Sequence, residues 1–315
     1  MGVERPPATG RRAVPAAANT LLFLAFAASQ CYLLGGPPLL GLPAWSAPAA
    51  ALFTTAVWAL LHEAIHGLLF PRPIFNQAGG RLLALLFGAS FALLRAGHLL
   101  HHRYSRTGDL SETWEPGRET YKRAALRHYG TILGGLYLAE ILAGLAMFLP
   151  AGPRCRLIAR CLPANALGKA FGEWLERPGV AAEIRTDALA ALALFAAAFA
   201  LWGGDWPWLA AALALRGLLL SFFDNAYHYG TPAGDPAVAR NHRLPAWASA
   251  AILHFNYHGT HHRHPAAPWC QLPAQAVAEG ARWEGGYWRQ AWRQLRGPIA
   301  LTELPGHQPL RATNR

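Results

Sequence analysis

The sequence predicts an all-α membrane protein with about four transmembrane helices, further re-entrant or interfacial helices, and a histidine-rich cap on the cytoplasmic side. Three observations support this fold class. Of the 315 residues, 53% are hydrophobic and only 14% are charged, against ~25% charged residues in ordinary soluble domains. The apolar residues form long continuous runs. The net charge of +11 comes mostly from Lys and Arg residues between those runs.

Four apolar runs approach the ~20 residues that cross a bilayer, and they are rich in Leu, Ala and Phe. They cover residues 18–36, 45–61, 187–203 and 206–223. Two other apolar stretches are predicted to be re-entrant or interfacial. Residues 82–94 are too short to span comfortably. Residues 131–149 hold Glu140 near their centre, where a carboxyl group is costly in lipid.

The distribution of Lys and Arg predicts the orientation. Segments 37–44 and 203–206 contain neither residue, whereas the other connections are rich in Arg. The positive-inside rule then places both termini and all basic loops in the cytoplasm. Six spans would put the basic segment 151–186 outside, so four are preferred. We expect a multi-pass protein of a bacterial inner membrane.

The chain divides into one membrane domain and two flanking segments. By composition, residues 1–15 are expected to be a mobile tail. Residues 16–280 are expected to form the membrane domain, and residues 281–315 a basic interfacial segment and tail. Trp and Arg are interspersed over 282–296, which is typical of a helix that lies on a membrane surface.

Eight histidines occur in three short clusters on the predicted cytoplasmic side. Spacings of three and four residues place imidazoles on one helix face, about 6 Å apart. One such pair is more often a polar helix end than a metal site. Three clusters on one membrane face favour metal binding, because many neutral imidazoles near an apolar boundary are hard to satisfy without a cation. The clusters are His62-Glu63-Ala64-Ile65-His66, His98-Leu99-Leu100-His101-His102 and His258-Gly259-Thr260-His261-His262.

His228 follows the last apolar run and makes a ninth candidate, and Asp224 lies four residues before it. Nine imidazoles suit two metal ions with four or five histidines each, since a single zinc ion takes only three or four ligands. Imidazole is a ligand for iron, zinc and copper. The spacing alone therefore leaves the metal open.

Taken together, the pattern His-x-x-x-His, His-x-x-His-His and His-x-x-His-His resembles the membrane fatty acid desaturase superfamily. The run from Asn256 to Pro265, followed by the run from Pro268 to Pro273, is similar to the family's third box and its tail. The resemblance covers roughly residues 40–275, and so most of the predicted domain 16–280. It is specific for the three boxes jointly, whereas each box alone is a weak signal.

The resemblance implies a multi-span enzyme with a non-haem di-iron centre. Such an enzyme uses O2 and two electrons to desaturate an acyl chain of a fatty acid or lipid, with no catalytic residue beyond the metal centre. The family often has Asn four residues before the extra histidine, where Asp224 stands here, so Asp224 is a tentative tenth ligand or an acceptor beside one. The implied iron ligands are His62, His66, His98, His101, His102, His228, His258, His261 and His262.

The sequence contains no His-Pro-Gly-Gly motif, so no fused haem domain is expected. Electrons should then come from a separate donor of the ferredoxin or cytochrome b5 type, attracted by the basic cytoplasmic face. The other expected partners are the membrane and the lipid substrate. No nucleic-acid partner is expected, because a soluble basic binder would not be this apolar.

Other functions remain open. The same ligands could serve a hydroxylase or a ketolase acting on an alkane, lipid or carotenoid, and the run His62–Gly67 resembles the first box of carotenoid ketolases. The motif His62-Glu63-x-x-His66 is also the signature of zinc proteases, with Glu63 as the base. A non-catalytic scaffold or metal carrier is a third class. It predicts that lipid composition does not depend on His101 or His261.

We also predict the surroundings of three histidines and one arginine that lie outside the predicted ligand set. His128 and His242 are expected on the surface. His254 is expected to hydrogen-bond near the third box rather than to bind metal. Arg216, inside an apolar run, is expected to extend its guanidinium to the membrane interface.

Overall fold

The computed structural model describes residues 14–107, 110–161 and 165–306. Within these residues the fold is helical, apart from isolated bridges and one short parallel pair of strands, β1 (Thr113–Trp114) and β2 (Ile299–Ala300). The all-α fold class is therefore confirmed. Residues 1–13 of the predicted N-terminal tail and residues 307–315 at the C-terminus lie outside the described residues.

In the described part of the chain, eleven helices come before His228. They are α1 (Ala16–Leu40), α2 (Ser46–Ala51), α3 (Thr54–Ile65), α4 (Pro73–Phe87), α5 (Phe91–Tyr104), α6 (Tyr121–Gly130), α7 (Leu136–Ala146), α8 (Ala151–Cys161), α9 (Ala166–Leu175), α10 (Val180–Trp202) and α11 (Trp206–Asn225). Four short helices follow in the cap: α12 (Ala246–Ala251), α13 (His258–Arg263), α14 (Leu272–Ala278) and α15 (Tyr287–Arg293).

Among the described residues, three helical stretches are long and apolar enough to cross a membrane. They are Ala16–Leu40, Tyr121–Ala146 and Val180–Asn225. A fourth is possible if the bent pair α4–α5 counts as one span. The chain is therefore a helical membrane protein, as the apolar runs predicted.

The stretch Val180–Asn225 has 46 residues, more than twice the ~20 that cross a bilayer. It folds back at Gly203, whose φ of 50° begins a short 3-10 turn. Asp187 contacts Ser90 while Arg216 contacts Leu86, so both lie at the junction of α4 and α5. A straight helix would separate Asp187 and Arg216 by about 43 Å. Helices α10 and α11 are therefore two passes, as predicted.

Two of the predicted segments differ in the structure. Residues 45–61 are not one long helix, because the backbone tightens at Leu52 and Phe53, whose N–H groups bond three residues back. Neither α2 nor α3 is long enough to span. Residues 131–149 are predicted to be re-entrant or interfacial, but residues 131–146 belong to the long stretch Tyr121–Ala146, because the basic helix α6 continues into them. A distortion at Gly134, with a φ of 115°, interrupts that stretch.

The segment 82–94, predicted to be re-entrant or interfacial, contains a sharp bend between two successive helices. Helices α4 and α5 meet at 101°, across Gly88, Ala89 and Ser90. Non-helical backbone at membrane depth is tolerated only where protein satisfies its polar groups. This bend directs α5, which carries the second histidine box, towards the cap.

Arg216 does not extend to the interface as expected. Its side chain is fully buried in α11. It donates to the carbonyl of Leu86 at 3.0 Å and to Oε1 of Gln30 at 2.6 Å. The expectation was wrong because acceptors on α4 and α1 bind Nη1 and Nη2 of the guanidinium inside the bundle.

The C-terminal segment packs onto the end of the bundle where α11 ends. Gln294 is fully buried and donates to the carbonyl of Phe222 at 2.6 Å, near the end of α11. Asn225 donates to Oε1 of Gln294 at 2.9 Å. His128 contacts the backbone oxygen of Gln294 at 2.8 Å and is buried, so its predicted surface position was wrong.

Candidate metal centre

Four separate parts of the chain bring the predicted histidines together. The first box lies at the C-terminal end of α3, the second on α5 and the third on α13, while His228 follows α11. The first histidine group consists of His62, His66, His98, His102 and His261. The second histidine group consists of His101, His228, His258 and His262.

Within each group, one potential ligand atom from every residue lies within 4.8 Å of all the others. In the first group, Nε2 of His98 lies 3.0 Å from Nε2 of both His66 and His102. Nε2 of His102 is in turn 3.0 Å from that of His261. Each group could therefore hold a metal ion.

The hydrogen-bond partners test whether a cation fits. Nε2 of His62 and Nε2 of His262 are buried and have no hydrogen-bond partner in the described part of the chain. Nδ1 of His262 lies 3.1 Å from the carbonyl oxygen of Pro236. A carbonyl only accepts, so Nδ1 carries the proton and Nε2 keeps a free lone pair. A second-nitrogen bond of this kind is the usual way in which proteins orient a metal-binding imidazole.

The cap keeps its histidines neutral. Burial lowers the pKa of His262 to about 3. Burial also lowers the pKa of His228, His258 and His261 well below the ordinary value, and neighbouring imidazoles lower it further. Neutral imidazole is the form that binds metals, so these side chains are prepared to accept a cation at neutral pH.

A family model described as fatty acid desaturase matches residues 37–293. The chain belongs to the fatty acid desaturase family. It is also similar to a beta-carotene ketolase of Paracoccus sp. (strain PC1), at 25% identity over 228 residues, which is 70% of this chain and 73% of the ketolase.

Membership confirms the resemblance seen in the boxes. This desaturase-family chain is a membrane oxidoreductase of the desaturase, hydroxylase and ketolase superfamily. The family match also indicates a lipid substrate and a membrane environment. The matched residues include all three boxes and His228.

Asp224 lies outside both histidine groups. Its Oδ1 accepts a hydrogen bond from Nε1 of Trp58 at 3.2 Å. Trp58 is on α3, one turn before the first box, so Asp224 ties the end of α11 to the helix that carries that box. Direct binding of metal by Asp224 stays a prediction.

Glu63 is directed towards the tail of the third box. Its Oε2 accepts the backbone N–H of Trp269 at 3.2 Å. Nε1 of Trp269 donates to Oδ1 of Asn19 at 2.8 Å, and Asn19 donates in turn to the carbonyls of Leu68 and Leu69. The buried carboxyl group thus joins α1, α3 and the cap.

A small cavity adjoins the first histidine group. Its wall includes His62, Glu63 and His261, and its remaining lining is apolar or aromatic. Those lining residues are Ala59, Leu253, Phe255, Trp269 and Leu272. The cavity therefore brings apolar surface directly against two of the predicted ligands.

Sequence reasoning missed Arg106, which supports the second group. Arg106 is fully buried and forms an ion pair with Glu112 at 2.8 Å. It also donates to the carbonyl oxygen of Thr231 at 2.7 Å, three residues after His228. Arg106 follows the second box by only four residues, but a single Arg there has no motif that could have identified it.

The structure corrects one of the remaining histidine predictions and agrees with another. His242 is buried, not on the surface, and its ring stacks on Tyr227 with a centroid separation of 5.0 Å. His254 belongs to neither group. Its Nδ1 lies 2.8 Å from Oγ of Ser249, whose hydroxyl donates to Asn256. His254 is therefore a hydrogen-bonding neighbour of the third box, as expected.

Proposed function

We propose that this chain holds two iron ions and uses O2 and two electrons to desaturate an acyl chain of a fatty acid or lipid. One observation carries the proposal: nine imidazoles of four sequence segments converge in groups of five and four, as a di-iron site needs. The family match supports the same conclusion. In this proposal the first group would hold one ion and the second group the other.

The size of the first group favours iron over structural zinc. Five histidines in one group exceed the four ligands of a tetrahedral structural zinc site. Asp224 would be an additional ligand near the second group.

Iron supplied with O2 gives an oxidant strong enough for an aliphatic C–H bond, which acid–base groups cannot break. The protein's own contribution is to position the substrate and exclude water. Ala59, Leu253 and Phe255 provide apolar surface beside the first group, against which a methylene segment would pack. They offer it no hydrogen-bonding side chain.

The proposal includes a separate electron donor of the ferredoxin or cytochrome b5 type. Both termini and the basic loops would face the cytoplasm of a bacterial inner membrane, as the positive-inside rule supports. The cap also carries several Arg residues near its surface, which would attract an acidic donor. They include Arg282, Arg289, Arg293 and Arg296.

Ketolation of a carotenoid is the second candidate, because one relative is a beta-carotene ketolase. The first box His62–Gly67 also resembles that of carotenoid ketolases. Desaturation and ketolation could use the same ligands. They differ in the fate of oxygen, since only ketolation or hydroxylation leaves an oxygen atom in the product.

The test is lipid and carotenoid profiling of cells that express the chain under ¹⁸O2. We expect a new double bond without label, and about two irons per purified chain. Incorporation of ¹⁸O into the product would instead indicate ketolation or hydroxylation. His261→Ala should abolish the product. His264→Ala is the matched control, since His264 lies in the same segment but outside both groups. An unchanged lipid profile with wild-type chain and iron bound would contradict the proposal.

A further inference from the structure

The bend between α4 and α5 leaves helix-end carbonyls that need partners inside the bundle. A helix has no intrahelical donors for its last four carbonyls, and in a membrane each unsatisfied group is costly. The first two of these carbonyls in α4 are satisfied locally. Ala89 donates to Ala84 at 3.0 Å, and Gly88, in the left-handed conformation, donates to Leu85 at 2.9 Å.

The last two carbonyls receive side chains from other helices. Arg216 of α11 donates to Leu86 at 3.0 Å, and the hydroxyl of Tyr137, on α7, donates to Phe87. Nη2 of Arg216 also reaches Gln30 of α1. Four helices thus meet at the end of α4. All four carbonyls of its last turn have a donor.

The charges also match the two helix ends. The guanidinium of Arg216 lies at the C-terminal end of α4, which carries partial negative charge. At the other side of the bend, Oδ2 of the buried Asp187 accepts from Ser90, the residue that precedes α5. A carboxylate at this N-terminal end is favourable for the same reason. Arg81 pairs with Asp187 at 2.5 Å.

We infer that Arg216, Tyr137 and Asp187 are positioning residues that fix the direction of α5 and thereby set the second histidine box. The inference rests on the proposed metal-binding role of the two histidine groups. His98 and His102 belong to the first group, while His101 belongs to the second. The same bend therefore controls both groups.

The length of α5 makes the position of the second histidine box sensitive to the angle of the bend. At 1.5 Å per residue, His102 lies roughly 17 Å along α5 from Phe91, so a tilt of about 5° at the bend moves it by about 1.4 Å. Metal–ligand distances tolerate only about 0.2 Å. Small losses at the bend should therefore weaken metal binding before they unfold the protein.

The experiment measures Co²⁺ affinity and its visible absorption spectrum in the purified full-length chain, together with the midpoint of thermal unfolding. Tyr137→Phe is the main variant, because it removes one hydroxyl and keeps the ring. Arg216→Lys, which keeps the charge but loses most of the donors, is the second variant. We expect Co²⁺ affinity to fall by about 10- to 100-fold in both, the range for residues that orient metal ligands. The spectra of both sites should change.

Trp202→Phe is the matched control. Nε1 of Trp202 donates to the carbonyl of Leu34 in α1 at 2.8 Å, which lacks its usual partner because Pro38 has no N–H. The control thus removes one buried donor to a helix carbonyl far from any histidine box. Its thermal midpoint should fall without a change in Co²⁺ affinity.

Wild-type affinity and spectrum in Tyr137→Phe and Arg216→Lys would overturn the positioning role, even if both variants lowered the thermal midpoint. An equal loss of Co²⁺ affinity in Trp202→Phe would also overturn it, because that loss would reflect general destabilisation. Failure of the wild-type chain to bind Co²⁺ at the histidine groups would instead contradict the proposed metal centre itself.

Discussion

Glu63 would have different roles in a zinc hydrolase and in a di-iron oxidase. In a zinc hydrolase it would be the general base. In the structure its carboxyl group accepts the N–H of Trp269 and is buried. A group held this way joins α3 to the cap, and the nine converging histidines exceed the ligands that a single zinc ion takes.

The first prediction separates these roles by substitution of Glu63. Glu63→Gln keeps an oxygen that can accept from Trp269, so we expect product formation and iron content close to wild type. Glu63→Ala leaves that buried N–H unpaired, which destabilises by about 1–3 kcal/mol. Product analysis and chemical denaturation check both variants. Complete loss of activity in Glu63→Gln, with iron and stability intact, would restore a general-base role.

The second prediction concerns the pH dependence of stability at His242. Burial lowers the pKa of its ring to about 3, against about 6.5 in the unfolded chain. Between these values the unfolded state binds more protons, so the free energy of unfolding decreases as pH falls below about 6.5. His242→Phe should show a shallower decrease with pH than wild type, measured by denaturation from pH 7 to pH 4. Parallel curves would contradict this.

At the scale of elements, close approach of backbones determines where the third box lies. Gly259 on α13 packs so tightly that an added Cβ would lie 2.4 Å from the carbonyl oxygen of Ala239. Backbone at that position cannot move as a flexible side chain would. Gly97 on α5 is next to His98 but has nothing within 4 Å of an added Cβ.

The third prediction compares these two glycines. Gly259→Ala should displace α13, destabilise the protein by about 1–3 kcal/mol and lower iron content. Gly97→Ala should keep iron and stabilise α5 by about 0.5–1 kcal/mol, because Ala loses less backbone entropy than Gly. Iron analysis and denaturation measure both. Equal changes in stability and iron content for Gly259→Ala and Gly97→Ala, or full iron content in Gly259→Ala, would show that α13 tolerates the displacement.

At the scale of the whole molecule, the net charge is +11, and the C-terminal segment contributes the exposed Arg282, Arg289, Arg293 and Arg296. If the cap receives an acidic donor, the attraction acts over a Debye length of about 10 Å at 0.1 M salt. The C-terminal segment offers charges suited to this, since it packs onto the end of α11 through Gln294 rather than lying apart from the bundle.

The fourth prediction is a decrease of turnover with ionic strength when a ferredoxin-type donor supplies the electrons. Arg289→Gln with Arg293→Gln should weaken that dependence, because each removes one attractive charge from the cap. Arg154→Gln with Arg156→Gln on α8 is the matched control and should weaken the dependence less, because these two charges lie outside the cap. Steady-state assays from about 0.05 to about 0.3 M salt provide the measurement. A flat salt profile in wild type would exclude electrostatic docking.

Local chemistry made much of this protein predictable. The nine histidines were identifiable because metal binding needs several ligands of one type, and their spacing places them on common helix faces. The passes α1, α10 and α11 were identifiable because length and apolarity alone define them. The broken segment 45–61 was not, because it depends on two i→i−3 turns whose residues carry no Gly or Pro signal.

The sequence by itself determined the helical membrane class, the desaturase-like boxes and the number of histidines available for two metals. Only the tertiary structure decided how those histidines divide into groups of five and four, that Glu63 contacts the cap, and that Arg216 is buried at a bend. The physical reason is the range of the interactions. Apolar runs and i, i+4 spacing are local, whereas the partners of Glu63 and Arg216 lie 206 and 130 residues away.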